Sequence, residues 1–190
     1  GTLSEAIAGA IRLPQPPIIG YIPVGTTNDF SKNLNLPEPG DLTALAATAV
    51  TGVPQVHDLG RFNGKSFLYV AAFGAFTEIS YSTPQKFKNL LGYNAYVLEV
   101  VKNLPSIKPY HIKVEYEDQV IEGDFLYGMV SNTTSVGRFA NFPPGNPDLS
   151  DGLLEVTLIS PVREAKDIEE FSRALLKVDP SILNSMVTSF

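Results

Sequence analysis

The stretch Gly20-Tyr21-Ile22-Pro23-Val24-Gly25-Thr26-Thr27-Asn28-Asp29-Phe30 constrains the fold more than any other. An apolar run ends at a glycine, four small polar residues follow, and Ser31-Lys32-Asn33-Leu34 can start a helix. The spacing predicts a buried strand over Ile18–Val24, a tight turn and a short helix. Such a turn gathers hydroxyls, a carboxylate and backbone N–H groups at one place, which suits a phosphate or a sugar hydroxyl. Two readings stay open for Gly25–Phe30. It is an ordinary turn in which Thr or Asn caps a helix, or a nucleotide-proximal loop with Thr26 against phosphate or ribose. It is not a P-loop, because no Gly-Lys-Ser/Thr follows.

The flanks extend the α/β pattern. Leu3, Ala6, Ile7, Ala10 and Ile11 have helical spacing, and Leu13-Pro14-Gln15-Pro16-Pro17 stops that helix. Asp41 can cap a helix over Leu42–Thr51, with Leu42, Leu45, Ala46 and Ala49 on one face and Gly52 closing it. Beyond residue 54 the character changes. Asn63-Gly64 is a strong hairpin signal between Gln55–Arg61 and Lys65–Ala72. Thr83 to Leu104 is the longest helical candidate, ended by Pro105. His111–Tyr116 alternates, Glu117-Asp118-Gln119 turns the chain, and Val120–Ser131 returns. Asn132–Ser150 reads as a long polar loop of the functional or disordered kind. Leu153–Ile159 is a further strand and Arg163–Val178 an amphipathic helix. The expected architecture is an α/β part, residues 1–54, followed by an antiparallel β-sandwich with an inserted helix, residues 55–190.

Composition narrows the function classes. The 190 residues are 44% apolar and 18% charged, which permits a sizeable core. Net charge is −6 and no Lys/Arg cluster occurs, so the sequence predicts no nucleic-acid partner. It holds no cysteine, which excludes disulfides, thiolate zinc sites and Cys nucleophiles and fits a cytoplasmic setting. The longest mostly apolar run, Phe67–Phe76, is half the ~20 residues a bilayer span needs.

Two further segments offer ligand chemistry. Gly1-Thr2-Leu3-Ser4-Glu5 would place N–H groups and a hydroxyl at a helix start, or is simply a frayed end. Pro147-Asp148-Leu149-Ser150-Asp151-Gly152 is a turn feeding a strand, or a hard-cation site of carboxylate and carbonyl oxygens. It is not an EF-hand, since Pro147 and Leu158 would occupy essential ligand positions. His57 and His111 are isolated, so no zinc spacing exists. No Gly-x-Ser-x-Gly supports acyl transfer.

Taken in order, these motifs resemble the bacterial diacylglycerol kinase-like lipid kinases, which share a catalytic domain with eukaryotic diacylglycerol and sphingosine kinases. The family's Gly-Gly-Asp-Gly-Thr-Leu-Asn-Glu is met from its fourth residue by Gly1-Thr2-Leu3-Ser4-Glu5. Its Gly-Thr-Gly/Thr-Asn-Asp-Phe is matched by Gly25–Phe30, its hairpin entry by His57-Asp58-Leu59-Gly60, and its Leu-Gly-x-x-Ala-Tyr by Leu91–Tyr96. Asp151-Gly152-Leu153-Leu154-Glu155-Val156 matches Asp-Gly-Leu-Leu-Asp-Val. Val70–Ala75 departs from the usual Asn-x-Ala-Gly-Ile-Gly.

The resemblance implies a two-domain fold that binds ATP in a cleft and phosphorylates a lipid hydroxyl with magnesium. Gly1, Thr2, Leu3, Ser4 and Thr26 would line the nucleotide. Asp29 and Asp58 would join an acidic network. Asp151, with carbonyls from Asp148 and Leu153, would match a structural magnesium site. Diacylglycerol is the expected acceptor; sphingosine-like, phosphatidylglycerol-like and undecaprenol acceptors, or a non-catalytic lipid-binding module, are the rivals. The expected setting is the cytoplasm, at the inner membrane face, with a homodimer as a further expectation. The family's Gly-Gly-Asp and its late Asp-Gly-Glu, which carries the base, do not occur in these residues. The resemblance therefore implies no catalytic residue within the chain and a general base Glu beyond Phe190. The 190 residues alone are expected to be inactive. An assay for ATP- and lipid-dependent ADP release should read background, and robust turnover would contradict the expectation.

Overall fold

A computed structural model of the chain describes residues 2–25, 28–75, 77, 101, 103–136, 139–140, 147–177 and 186–190. Its contacts divide into two compact units: residues 1–71 with 131–154, and residues 72–130 with 155–190.

The first unit is α/β in character. Helix α1 (Thr2–Ala10) follows the predicted spacing, and lies against β2 (Lys65–Phe67). Helix α2 (Leu42–Thr51) starts where Asp41 accepts a hydrogen bond from the Ala44 N–H at 2.9 Å. It ends where the Gly52 N–H reaches Thr48 O. Its inward face is set by Leu45, fully buried, with Thr48 and Ala49 half-buried; Leu42, expected on that face, is 58% exposed. Between the helices, Ile18–Val24 is extended but pairs with no strand among the described residues. Ile18 and Val24 stand 79% and 72% exposed, which corrects the expected buried strand. An apolar run predicts a buried strand only where a partner's N–H and C=O groups lie alongside. What the segment does have is a close approach to α2. A Cβ on Gly20 would come within 2.6 Å of Ala49 O, so glycine is required there.

The hairpin forms as expected but with short strands. β1 (Gly60–Phe62) pairs antiparallel with β2, Phe62 opposite Lys65. Asn63 and Gly64 take φ of 47° and 77°, both in the left-handed region of a primed hairpin turn. β3 (Val70–Gly74) continues the chain out of this unit.

The second unit is an antiparallel sheet domain. β4 (Tyr110–Tyr116) and β5 (Gln119–Phe125) pair in full register from Tyr110–Phe125 to Tyr116–Gln119. Ile112, Val114 and Tyr116 are half-buried between exposed neighbours, as period two requires. The turn relies on Glu117 at φ 47°. β6 (Tyr127–Ser131) joins a four-stranded sheet of order β10-β9-β6-β3, with β9 spanning Glu155–Ile159 and β10 Val187–Ser189. Phe190 extends the pairing of β10 with β9: its N–H donates to Val156 O at 3.1 Å, and its carbonyl accepts the Val156 N–H at 2.8 Å. Its ring stacks on Tyr116 of β4, with centroids 3.9 Å apart. Helix α3 (Ala165–Lys177) supplies Phe171 and Ala174 to a core with Leu104, Leu126, Ile159 and Met186. Its start is capped by Asp167, which accepts from the N–H groups of Arg163 at 2.8 Å and Glu164 at 3.0 Å. Those two donors hold its carboxyl below the usual range.

The expected loop over 132–150 is partly built: it contains the two-residue pairing of β7 (Ser135–Val136) with β8 (Phe139–Ala140). Most of the expected helix at Thr83–Leu104, including Leu91–Tyr96, lies outside the described residues; Val101 and Leu104 at its end are buried. Phe171 is 1% exposed at the centre of the second core. Replacing it with alanine should destabilise the fold by about 3–5 kcal/mol, read as a lower midpoint in urea denaturation.

Candidate functional site

Three segments meet in the first unit, the Asp29–Asn33 turn, His57-Asp58 and the 148–153 loop, and a buried polar strand end holds them. At Gly25–Phe30 the turn is closed by Asn28. Asn28 sits in the left-handed region, φ 50° and ψ 31°. Its Oδ1 accepts the Gly25 N–H at 2.9 Å, and its Nδ2 donates to Pro23 O at 2.9 Å and Gly25 O at 2.6 Å. Asparagine tolerates this backbone because its short amide can bond locally. The Gly25 N–H is thus committed to the chain itself, so the turn does not offer that donor to an anion. Thr26 lies outside the described residues, as does Gly1. Thr2 and Ser4 are exposed and Leu3 half-buried in the first turn of α1, where N–H groups lack helical partners.

After Asn28 the chain makes a 3-10 turn, Asp29–Asn33, in place of the expected helix over Ser31–Leu34. Asp29 pairs with Lys32 at 3.1 Å, an exposed contact worth about 0–1 kcal/mol. The turn is anchored on two sides. The Phe30 ring meets the His57 imidazole edge-on, with centroids 5.3 Å apart, and Tyr21 packs on Phe30 at 6.2 Å. Asn33 Oδ1 accepts from Thr133 Oγ1 at 2.9 Å, Thr134 N–H at 3.1 Å and Thr134 Oγ1 at 3.2 Å. The aromatic contact brings the segments of Asp29 and Asp58 together.

Asp58 is bound to the acidic loop through backbone and side chain. Its N–H donates to Leu149 O at 2.8 Å. Its Oδ2 accepts the Gly152 N–H at 2.7 Å. Gly152 has φ of 85°, a conformation that suits glycine, and so presents its N–H to Asp58. Within the loop, Asp148 Oδ1 accepts from Ser150 N–H and Oγ at 3.0 and 2.8 Å, and Asp151 Oδ1 accepts from Leu153 N–H at 2.9 Å. Asp148 and Asp151 are exposed. Among the described residues no three His, Cys, Asp or Glu side chains converge as a metal cage. The oxygens this loop exposes include the Asp148 and Asp151 carboxylates and its own carbonyls. Oxygen-only donors on a short exposed loop suit a hard cation such as magnesium, which keeps much of its water.

Phe190, the residue beyond which the general base is expected, belongs to the second unit. Its backbone is spent on Val156 and its ring on Tyr116, and an apolar ring offers no proton acceptor, so its own part is structural.

Residues that the sequence reading did not single out hold this site together. Ser131, Asn132 and Thr133 are 0–1% exposed. The Asn132 N–H reaches Tyr69 O at 2.9 Å, and its Nδ2 bridges Asp58 O and Leu149 O at 2.9 and 3.1 Å. The Tyr69 hydroxyl donates to Ser135 O at 3.0 Å. Thr133 Oγ1 also lies 2.8 Å from Ser135 O, so its one proton serves either this carbonyl or Asn33 Oδ1. Polar residues directly after an apolar strand were the available signal; read as a loop, they suggested solvent.

Beside Asp58, both His57 ring nitrogens are buried without a hydrogen-bond partner among the described residues. Burial lowers the pKa of His57, opposed by the Asp58 charge. His111 goes the other way: its bonds to Asp124 at 2.8 Å and Glu122 at 3.3 Å raise it. The stability linked to His57 is thus present above its ordinary value and lost as pH falls below about 6.5, while that linked to His111 is present below about 6.5 and lost as pH rises through its raised value. NMR titration of the two imidazoles should give one midpoint on each side of about 6.5, and His57→Phe should remove the lower one. Two midpoints on the same side would contradict the site's burial.

A sequence model of the diacylglycerol kinase catalytic domain matches residues 1–62. The chain is 35% identical over 175 residues to a diacylglycerol kinase of Bacillus subtilis (strain 168), covering 92% of this chain and 57% of that protein. It is 35% identical over 159 residues to a diacylglycerol kinase of Staphylococcus saprophyticus, covering 84% and 51%. A crystal structure of a diacylglycerol kinase from Bacillus anthracis superposes with a TM-score of 0.68 at 26% identity, over 100% of this chain and 60% of that one. A second Bacillus anthracis structure, at 24% identity, gives a TM-score of 0.72 and supports the fold. The chain spans about half the length of the curated relatives it matches.

Proposed function

The chain belongs to the bacterial diacylglycerol kinase-like family, and from that premise we propose that the full-length protein phosphorylates a lipid hydroxyl with ATP, diacylglycerol being the preferred acceptor. The observation that carries this reading is the joining of Asp58 to the 148–153 loop by the Gly152 N–H at 2.7 Å and the Leu149 carbonyl at 2.8 Å. It puts two family motifs, distant in sequence, into one acidic assembly. The family's α/β-plus-antiparallel-sheet fold is the frame. By sequence we assign residues 1–54 to the nucleotide-binding part and 55–190 to the sandwich domain, whereas the contacts group 55–71 and 131–154 with the first unit.

The residue roles are those the family resemblance implies, and they fit the chemistry of the transfer. The γ-phosphoryl leaves ADP and bonds to the lipid oxygen, whose proton goes to a base; catalysis rests on positioning and charge stabilisation. Gly1, Thr2, Leu3 and Ser4 would meet the nucleotide with first-turn N–H groups and hydroxyls, joined by Thr26. Asn28 holds the turn that carries Thr26. Asp29 and Asp58 supply negative charge that organises nearby donors. Asp148, Asp151 and the Leu153 carbonyl would hold magnesium. Held by those oxygens, magnesium would supply positive charge against the carboxylates. We assign no residue of this chain as the base and propose a Glu beyond Phe190 for that role.

Phe67-Leu68-Tyr69-Val70, the apolar run with which a non-catalytic lipid-binding module would grip an acyl chain, is committed elsewhere. Leu68 is 6% exposed and Tyr69 is tied to Ser135 and Asn132, which favours the kinase over the lipid-binding module. Among the described residues no helix is long and apolar enough to cross a membrane. We propose peripheral contact with the cytoplasmic face of the membrane, through a local apolar surface rather than a basic patch, and a homodimer.

The test is transfer of labelled phosphate from ATP to a panel of lipids in mixed micelles. The full-length protein should label diacylglycerol above sphingosine, phosphatidylglycerol and undecaprenol. Asp151→Asn should raise the magnesium needed for half-maximal rate by about tenfold, equivalent to ~1.4 kcal/mol. Labelling of another lipid alone would reassign the acceptor, and no labelling would overturn the reading.

A further inference from the structure

We propose that Asn132 is a positioning residue that sets the 148–153 loop against Asp58 and so raises the loop's affinity for a divalent cation. The proposal rests on the reading of Asp148, Asp151 and Leu153 as that cation's ligands. Asn132 is 1% exposed, and its backbone is pinned by the 2.9 Å bond from its N–H to Tyr69 O. Its amide orientation follows from chemistry: Nδ2 faces two carbonyls, Asp58 O at 2.9 Å and Leu149 O at 3.1 Å, and only the NH2 end can donate to them. Leu149 O also accepts the Asp58 N–H at 2.8 Å. Three segments therefore close on one carbonyl of the acidic loop: the end of β6, the entry to β1 and the loop itself.

The opposite end of the same amide shows what this arrangement costs. Asn132 Oδ1 is buried and receives no donor among the described residues. A buried acceptor without a donor opposes folding, and an apolar side chain of similar volume would avoid that. What the amide supplies, and an apolar side chain cannot, is a fixed position for Leu149 one residue after Asp148 and two before Asp151. A loop held in its binding geometry loses less entropy when it takes up a cation. Without the bridge the loop must be ordered by the cation, and affinity falls.

The test is calorimetric titration of the full-length protein with magnesium chloride, beside thermal denaturation of the same samples. Asn132→Leu keeps the branching and the number of side-chain heavy atoms and removes both donors, and Asn132→Ala removes them with a cavity. Both should weaken magnesium binding by about tenfold, the equivalent of one lost net hydrogen bond. Met129→Ala, a core change at a residue 1% exposed in β6, should lower the melting temperature and leave the magnesium affinity within about twofold. Wild-type affinity in both Asn132 variants overturns the proposal, and so does equal weakening by Met129→Ala, which would mark the effect as general loosening. If wild type binds no magnesium, or Asp151→Asn binds as wild type does, the cation reading itself fails and takes the proposal with it.

Discussion

The Asp58 carboxylate accepts the Gly152 N–H at 2.7 Å, and the candidate site depends on that bond. It spans 94 residues of sequence and is doubled by the Asp58 N–H to Leu149 O. A single exposed hydrogen bond contributes only about 1 kcal/mol, too little to order a loop by itself. Its effect comes from what stands behind it. Asn132 fixes both carbonyls from the buried side, Tyr69 fixes Asn132, and the Phe30–His57 contact brings the Asp29 turn to the same place. The acidic loop is thus positioned by buried polar groups, while its own carboxylates stay exposed.

This arrangement separates stability from chemistry. The apolar cores lie elsewhere, around Leu45 and Leu68 in one unit and Phe171 in the other. The residues around Asp58 are polar, buried and only partly satisfied; Asn33 Nδ2, Ser131 Oγ, Asn132 Oδ1 and both His57 nitrogens lack partners among the described residues. A segment selected for stability alone would not keep so many unpaired groups. Such groups persist where position matters more than the free energy they cost.

The sequence made regular elements legible where local chemistry decides them. Asp41 caps α2, Asn63-Gly64 turns the hairpin, and alternation places β4 and β5, because each signal acts within a few residues. It failed at Ile18–Val24, where strand formation depends on a distant partner that periodicity cannot reveal. Of the candidate site, the motif order singled out Asp58, Asp148 and Asp151, whose segments are hydrogen-bonded together. It did not reveal that Asn28 consumes the Gly25 N–H, nor that Asn132 bridges Asp58 and Leu149. Both are side-chain-to-backbone bonds, and a polar residue in a loop reads the same whether it faces water or a buried carbonyl.

Amide hydrogen exchange at Gly152 tests the central claim most directly. If Asp58 holds the acidic loop, this amide in the full-length protein exchanges at least about tenfold more slowly than an unstructured amide, the protection a net hydrogen bond of ~1.4 kcal/mol confers. Asp58→Ala then releases it to the unprotected rate. Free exchange at Gly152 in the wild-type protein, or protection that survives Asp58→Ala, would contradict the account.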